Sequence, residues 1–294
     1  MSAPHAQRPP RRILLAQTSF LGDVVIATAL ARRLMEAFPA AELHWLVRPD
    51  AREIVTPLVG AERVLVYAKR GEDIGLGGIF RLASRLAERN FDVGIAVQRS
   101  LRTALVLRLA RIPVRTGFAK APGAFLYNRR VAHAGAHARD RLVALASGLG
   151  LDVSAPPLPR LEVDAVVAAR VAARLAATGI EKNGRLVVLA PGSAWETKRW
   201  PPRHFGALAG ELLGQGFEYI MVLGSPGDSL LAAAIRAEVP AAARILDWTG
   251  ATPPAELIAV IDRAGLVVAN DSAPGHIAGA LGTPLVSCFG PTVP

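Results

Sequence analysis

The fold class follows from residues 13–47, which read ILLAQTSFLGDVVIATALARRLMEAFPAAELHWLV. A short apolar run from Ile13 to Ala16 predicts a buried strand, and a second run from Glu42 to Val47 predicts another. Between them, Asp23 to Phe38 has the apolar spacing of a helix, which stops at Pro39. Because a helix joins the two strands, the strands are predicted to lie parallel in one sheet.

The same alternation continues along the chain. In the first half it predicts strands at residues 63–67 and 92–97 and helices at residues 79–89 and 101–110. In the second half it predicts helices at 165–177, 204–213, 229–238, 256–263 and 276–281, and strands at 186–190, 219–223, 266–269 and 285–288. Strands that alternate with crossover helices are typical of the α/β class with a doubly wound parallel sheet.

A proline-rich connection divides the pattern into two halves. The segment from Ser154 to Pro159 holds three prolines within four positions, which favours a stiff, extended linker. A chain of 294 residues is long enough for two domains. The predicted domains are residues 1–155 and 156–294, and they are expected to face each other across a cleft. Open α/β sheets bind ligands beyond the carboxyl ends of their strands, so the candidate sites are sought there.

Composition narrows the function classes. A single cysteine, Cys288, excludes a disulfide framework, a multi-thiolate zinc site and a cysteine-ligated cluster. The net charge of +10 favours an anionic partner: a nucleic acid, a membrane surface or a phosphorylated small molecule. No recognised nucleic-acid module is present and the basic residues form no long block, so nucleic-acid binding is not predicted. A solvated, arginine-rich surface also explains the charge.

The N-terminal region resembles a secretory signal, with Arg11 and Arg12 before an apolar stretch that ends in small residues. Polar residues and a glycine, from Gln17 to Asp23, interrupt that stretch. No apolar segment approaches the roughly 18 residues that span a bilayer. The protein is therefore predicted to be cytoplasmic, with peripheral contact at a membrane face as an option.

The first candidate site is the connection from Gln17 to Asp23, between the first strand and the first helix. Gly22 permits a tight turn or a close approach of the backbone to a ligand. Asp23 falls at or near the first turn of the helix. Two interpretations stay open for Asp23: an acid that stabilises the helix N-terminus, or a general base at the carboxyl end of a strand.

The second candidate site is the connection from Pro191 to Pro201, after the first strand of the second domain. Ser193 can donate a hydrogen bond, Lys198 supplies a positive charge, and backbone amides can complete an anion site. The GxxxxGK[ST] pattern is absent, so the segment is not a Walker loop. A surface turn with two basic residues is the alternative interpretation. Trp200 is predicted to be structural.

The third candidate site is the connection from Asn270 to His276. Asp271 and Ser272 follow a strand, and His276 lies about one helical turn further on. A ribose or a diphosphate would meet a carboxylate, a hydroxyl, helix-terminal amides and an imidazole there. Helix capping by Asp271 and Ser272, and a packed His276, are the alternatives. No carboxylates or histidines have metal-ligand spacing, so no tightly bound metal is predicted.

Taken together, these stretches resemble the bacterial heptosyltransferases of glycosyltransferase family 9, most closely the heptosyltransferase II type. The resemblance runs from about Arg12 to Pro294. Beside the three candidate sites, it rests on residues 98–104, 112–117 and 289–292, the last reading Phe289-Gly290-Pro291-Thr292. Position 273 is Ala where the family usually has Gly. Family members continue through further helices, so the second domain is expected to be C-terminally incomplete.

The resemblance implies a GT-B architecture of two Rossmann-like domains and an inverting transfer of heptose from ADP-heptose to the lipopolysaccharide inner core. It implies no cofactor and no metal, and it places the protein in the cytoplasm, with peripheral contact at the inner membrane. Asp23 matches the proposed catalytic base. The implied donor-binding residues are Gly192, Ser193, Lys198, Asp271, Ser272 and His276, and the implied acceptor-binding residues are Ser19, Gly22, Arg99 and Arg102.

Three other functions are alternatives for the same sequence. A family 9 enzyme with another nucleotide sugar has the same nucleotide loops. A non-catalytic nucleotide-sugar-binding protein would retain the loops without turnover. A Rossmann dehydrogenase is disfavoured because GxGxxG is missing after the first strand of each domain.

Overall fold

The computed structural model describes residues 8–69, 71–180, 185–240 and 245–290. They form two compact units, the first up to Arg160 and the second from Leu161. In these residues no helix is both long enough and apolar enough to cross a membrane.

The first unit is a six-stranded parallel sheet with helical connections. Its strands are β1 (Arg12–Ala16), β2 (Glu42–Val47), β3 (Val64–Val66), β4 (Val93–Ala96), β5 (Val114–Phe118) and β6 (Arg129–Val131). Its helices are α1 (Leu21–Ala37), α2 (Arg52–Val59), α3 (Gly75–Ala87), α4 (Leu101–Leu109) and α5 (Ala138–Val143). Short 3₁₀ turns lie at Pro49–Ala51, Ala61–Arg63, Ala124–Leu126 and Ala144–Leu149. The strand order is β3-β2-β1-β4-β5-β6, and all pairs are parallel.

The second unit is a five-stranded parallel sheet. Its strands are β7 (Leu186–Ala190), β8 (Tyr219–Val222), β9 (Ile245–Asp247), β10 (Leu266–Asn270) and β11 (Leu285–Cys288). Its helices are α6 (Ala165–Ala176), α7 (Pro202–Gly214), α8 (Ser229–Ala237), α9 (Pro254–Arg263) and α10 (Ala273–Leu281), with 3₁₀ turns at Glu196–Lys198 and Pro226–Asp228. The strand order is β11-β10-β7-β8-β9, again with every pair parallel.

Each sheet is centred on a strand whose residues are all apolar apart from Arg12 at the start of β1. From Ile13 to Ala16, β1 is buried on both faces, as is all of β7. Strands that are covered by helices on both sides read as continuous apolar runs rather than as alternating ones. The predicted α/β, doubly wound class is therefore confirmed for both units.

Several helices begin earlier than the sequence predicts. The observed starts of α7, α9 and α10 precede the predicted ones by two or three residues, and each of these helices has proline in its first two positions. Proline is favoured there because its fixed φ suits a helix and its missing N–H would have no helical partner. The predicted starts of these three helices are therefore two or three residues too late.

Three strands and one helix were not predicted. The strands are β5, β6 and β9, and the helix is α2; a helical stretch that ends near Gly150 is predicted, and α5 and the 3₁₀ turn at Ala144–Leu149 lie there. β6 and β9 are three-residue strands at the edges of their sheets, and β5 carries an arginine. Such short, partly polar strands lack the apolar run that marks β1, so their neighbours determine them more than their own sequence does.

The proline-rich connection is held against α1. The guanidinium groups of Arg32 and Arg33 donate hydrogen bonds to the carbonyl oxygens of Leu158 and Ala155, both at 2.9 Å. The backbone N–H of Arg160 donates to Thr28 Oγ1 at 3.0 Å. These contacts explain why the chain as far as Arg160 packs with the first unit.

Candidate functional site

In both units the candidate residues follow strands at the point where the strand order reverses. In the first unit that point lies between β1 and β4, and in the second it lies between β7 and β10. In open α/β sheets the loops at such a point diverge, and ligands usually bind there, beyond the carboxyl ends of the strands. Ser19, Gly22 and Asp23 follow β1, and Arg99 and Arg102 follow β4; Gly192, Ser193 and Lys198 follow β7, and Asp271, Ser272 and His276 follow β10.

Asp23 is the third residue of α1, and a neighbouring hydroxyl holds its carboxylate. Ser19 Oγ donates a hydrogen bond to Asp23 Oδ2 at 2.5 Å. The N-cap residue is Phe20, whose side chain cannot cap the helix, so Asp23 is a first-turn acid and not the cap. Gly22 is buried inside this first turn and does not form a tight turn before it. The half-buried carboxylate has one oxygen that the Ser19 contact does not use.

Polar contacts join this loop to the loops after β3 and β4. Gln98 Nε2 donates to Thr18 Oγ1 at 2.5 Å and to Thr103 Oγ1 at 3.0 Å. Lys69 Nζ donates to the carbonyl oxygen of Thr18 at 3.2 Å. Hydrogen bonds from the loop after β3 and from the loop after β4 therefore hold the segment that precedes Asp23.

Cationic side chains gather around the same edge of the first sheet. Burial, reinforced by the guanidinium groups of Arg48 and Arg102, lowers the pKa of Lys69 to about 8. Arg102 is exposed at the start of α4, and exposed Arg99 donates to the carbonyl oxygen of Lys120 at 2.8 Å. This edge can attract an anionic ligand. The sequence pointed to Arg99 and Arg102 but missed Lys69 and Arg48, which belong to no recognisable motif.

In the second unit the structure brings two of the candidate loops together. Lys198 Nζ lies 2.5 Å from Asp271 Oδ2, and His276 Nε2 lies 3.8 Å from Asp271 Oδ1. The Lys198 and Asp271 side chains are 23% and 16% exposed, so the pair is partly buried. A ligand phosphate that binds Lys198 must therefore displace or share the contact with Asp271.

Asn270 fixes the loop that carries Lys198. Its side chain is fully buried at the end of β10. Its Oδ1 accepts a hydrogen bond from the backbone N–H of Trp200 at 2.9 Å, and its Nδ2 donates to the carbonyl oxygen of Pro191 at 2.6 Å. Trp200 also packs on the core beside Phe205, which confirms its structural interpretation. One amide side chain thus holds both ends of the 191–200 loop.

Close packing explains the glycines of the two loops. A Cβ on Gly192 would lie 2.6 Å from Asp228 Oδ2, and a Cβ on Gly290 would lie 2.6 Å from the carbonyl oxygen of Thr197. A side chain at position 290 would require the backbone of the 191–200 loop to shift, and one at position 192 would require the Asp228 side chain to move. The neighbouring Ser193 accepts two hydrogen bonds from Arg199 through its carbonyl oxygen, at 3.1 and 2.9 Å.

Ser272 is the N-cap residue of α10, yet its hydroxyl donates to the carbonyl oxygen of Asn270 at 3.2 Å instead of capping the helix. Ala273 is the first helical residue, so the position that is usually Gly in the family needs no positive φ here. Pro291 and Thr292 of the predicted closing motif lie outside the described residues. In the described part of the chain, no group of three or more His, Cys, Asp and Glu side chains is arranged to hold a metal ion.

Two α/β units, each with a parallel sheet and polar loops at the point where its strand order reverses, are the architecture of the GT-B fold. The chain belongs to glycosyltransferase family 9 (heptosyltransferase), whose family model matches residues 79–294.

Individual relatives agree with this assignment. Lipopolysaccharide heptosyltransferase 2 of Salmonella typhimurium is 27% identical over 96% of this chain and 84% of its own length. The crystal structure of a family 9 glycosyltransferase from Veillonella parvula superposes with a TM-score of 0.85 at 21% identity, and the match covers 96% of this chain and 82% of the other. The structure of E. coli heptosyltransferase WaaC with ADP has a TM-score of 0.73 at 26% identity, over 96% and 88% of the two chains.

Proposed function

We propose that the protein transfers L-glycero-D-manno-heptose from ADP-heptose to the inner core of lipopolysaccharide, in the manner of heptosyltransferase II. The observation that carries the proposal is the Lys198–Asp271–His276 cluster, a cation held at the ligand edge of the second sheet. Family membership supports it, as do the names of the relatives, among them a lipopolysaccharide heptosyltransferase and a heptosyltransferase with ADP.

Asp23 is the proposed general base. The acceptor hydroxyl loses its proton to the Asp23 carboxylate as its oxygen attacks the anomeric carbon of the heptose. The bond between that carbon and the phosphate oxygen breaks, and its electron pair leaves with ADP. Attack from the side opposite the leaving group inverts the anomeric centre. The hydrogen bond from Ser19 orients one carboxylate oxygen and leaves the other for the acceptor.

The second unit is the proposed donor-binding unit. Lys198 balances the charge that develops on the ADP diphosphate, and Gly192 and Ser193 bring backbone amides close to it. Asp271 can then accept hydrogen bonds from sugar hydroxyls, with Ser272 and His276 beside it. Because Lys198 supplies the positive charge, we propose that the reaction requires no metal ion and no cofactor.

The acceptor is proposed to bind at the carboxyl edge of the first sheet. Arg99 and Arg102 are the candidates for its phosphates and acidic sugars, and Ser19 and Gly22 lie beside the base. An acceptor that is part of a glycolipid lies in a membrane. We therefore propose that the protein works in the cytoplasm, in cell-envelope synthesis, with peripheral contact at the inner membrane.

Transfer and nucleotide binding can be tested separately. Thermal unfolding with ADP, UDP and GDP ranks the nucleotides, and ADP at about 100 times its Kd is expected to add about 2.7 kcal/mol of stability. Transfer is measured with ADP-heptose and a defined inner-core acceptor, with and without EDTA. ADP preference and EDTA-resistant transfer are expected. A preference for UDP would refute the ADP-heptose proposal, ADP binding without transfer would favour a non-catalytic role, and loss of transfer in EDTA would refute the metal-free mechanism.

A further inference from the structure

Exposed apolar side chains are concentrated at one edge of the first unit. Among its described residues, eight large apolar side chains are exposed, and six of them lie in the loops or the first two helical turns that follow carboxyl ends of strands. These six are Phe20, Ile74, Leu76, Phe80, Leu101 and Phe125. Single exposed apolar residues are ordinary on a protein surface, but a cluster of them marks an interaction site.

Four of the six belong to neighbouring elements. Leu76 and Phe80 lie one helical turn apart on α3, so they share a face of that helix. α3 packs against α4, which begins at Leu101, and the turn that holds Phe125 packs against α4 as well. That turn is close to the start of α4, since a Cβ on Gly123 would lie 3.2 Å from the Cα of Leu101. We call the surface of Leu76, Phe80, Leu101 and Phe125 the apolar edge.

Basic side chains lie beside the apolar edge. Residues 93–139 contain nine Lys and Arg and no Asp or Glu, in a chain whose net charge is +10. Three of the nine lie at this edge, Arg99 and Lys120 in the loops beside Leu101 and Phe125, and Arg102 in the first turn of α4. The hydrogen bond from Arg99 to the carbonyl oxygen of Lys120 joins those loops. A second copy of the same chain would bring like charges together.

We propose that the apolar edge docks on an anionic phospholipid bilayer. Apolar side chains that enter the headgroup region, together with lysines and arginines drawn to anionic lipids, are the two contributions that hold a peripheral protein on a membrane. The edge adjoins the loop after β4 that carries the candidate acceptor residues. The inference rests on the proposed function in one respect only, that a lipid-linked acceptor would then be presented beside Asp23.

Vesicle sedimentation tests the docking directly. Vesicles of phosphatidylglycerol and phosphatidylcholine in equal parts are compared with vesicles of phosphatidylcholine alone, at low and high salt. The wild-type chain is expected to bind the anionic vesicles and to be released by salt. The Leu76→Ser/Phe80→Ser variant is expected to bind at least about tenfold more weakly, since each substitution removes a large apolar side chain from the lipid.

A matched control is available in the second unit, where Leu230 and Val166 are 82% and 73% exposed on α8 and α6. The Leu230→Ser/Val166→Ser variant should bind vesicles as the wild type does. A Phe80→Trp variant should in addition lose fluorescence on vesicles of brominated lipid. Lys120→Glu should weaken binding to anionic vesicles.

Three outcomes would overturn the proposal: no binding of the wild type to anionic vesicles, equal binding by Leu76→Ser/Phe80→Ser, or equal loss in the control variant. A dimer that only Leu76→Ser/Phe80→Ser disrupts would show that a second copy covers the edge. Vesicle binding without any heptose transfer would refute the proposed function and leave the docking intact. Transfer to a soluble acceptor without vesicle binding would do the reverse.

Discussion

Asn270→Ala is expected to destabilise the second unit strongly, because it leaves two backbone groups without partners. The buried amide binds the Trp200 N–H and the Pro191 carbonyl oxygen, and alanine can replace neither contact. A buried polar group that loses its partner costs about 1–3 kcal/mol, so the two together cost about 2–6 kcal/mol of unfolding free energy. That is a large part of the unfolding free energy of a typical domain, which is roughly 5–15 kcal/mol.

The chain contains a control with the same bonding pattern at an exposed position. Asn128 accepts a hydrogen bond from the backbone N–H of Arg115 at 2.8 Å and donates to the carbonyl oxygen of Pro113 at 2.6 Å. Water can take over both contacts there, so Asn128→Ala should cost about 1 kcal/mol or less. The measurement is equilibrium unfolding in urea, followed by tryptophan fluorescence. If Asn270→Ala costs no more than Asn128→Ala, burial of the amide is not what holds the 191–200 loop, and the reasoning fails.

Two further predictions concern ligand binding. Asp271→Asn removes the negative charge that pairs with the ammonium group of Lys198, so calorimetry should show that this variant binds ADP about three- to tenfold more tightly than the wild type. Lys198→Ala should bind ADP at least about tenfold more weakly than the wild type. If Asp271→Asn binds ADP more weakly, Asp271 itself holds the nucleotide. Lys69 is charged below its pKa of about 8 and neutral above it, so the KM for a phosphorylated acceptor should rise about threefold to tenfold between pH 7 and 9.5. Lys69→Arg, which stays charged, should flatten that rise, and a wild-type KM that is independent of pH would exclude Lys69 from acceptor binding.

The central part of each sheet could be predicted from sequence because its signal is local. β1 and β7 are uninterrupted apolar runs, and the loops after them were placed correctly at the carboxyl edge. The edge strands β6 and β9 have no such signal, because three residues with charged members become a strand only beside a formed neighbour. The starts of the proline-led helices α7, α9 and α10 were predicted two or three residues too late, because proline is compatible both with the end of one element and with the first turn of the next.

The candidate site, like the fold, could be predicted from the sequence only in part. The residue types at each loop indicate anion chemistry on their own. The pairing of Lys198 with Asp271 joins residues 73 positions apart, and it depends on β7 and β10 being neighbours in the sheet. The Asn270 contacts and the approach of Lys69 to Thr18 depend likewise on the order of strands. Spacing within one loop cannot reveal contacts between loops.

The general-base role of Asp23 is tested most directly by the rate of heptose transfer from ADP-heptose by the Asp23→Asn variant. Asparagine keeps the size of the side chain and can still contact Ser19, but it cannot accept the proton of the acceptor hydroxyl. Transfer is expected to fall by a factor of about 10² to 10⁴, with ADP affinity and thermal stability close to those of the wild type. Transfer by Asp23→Asn within tenfold of the wild-type rate would contradict the proposed mechanism.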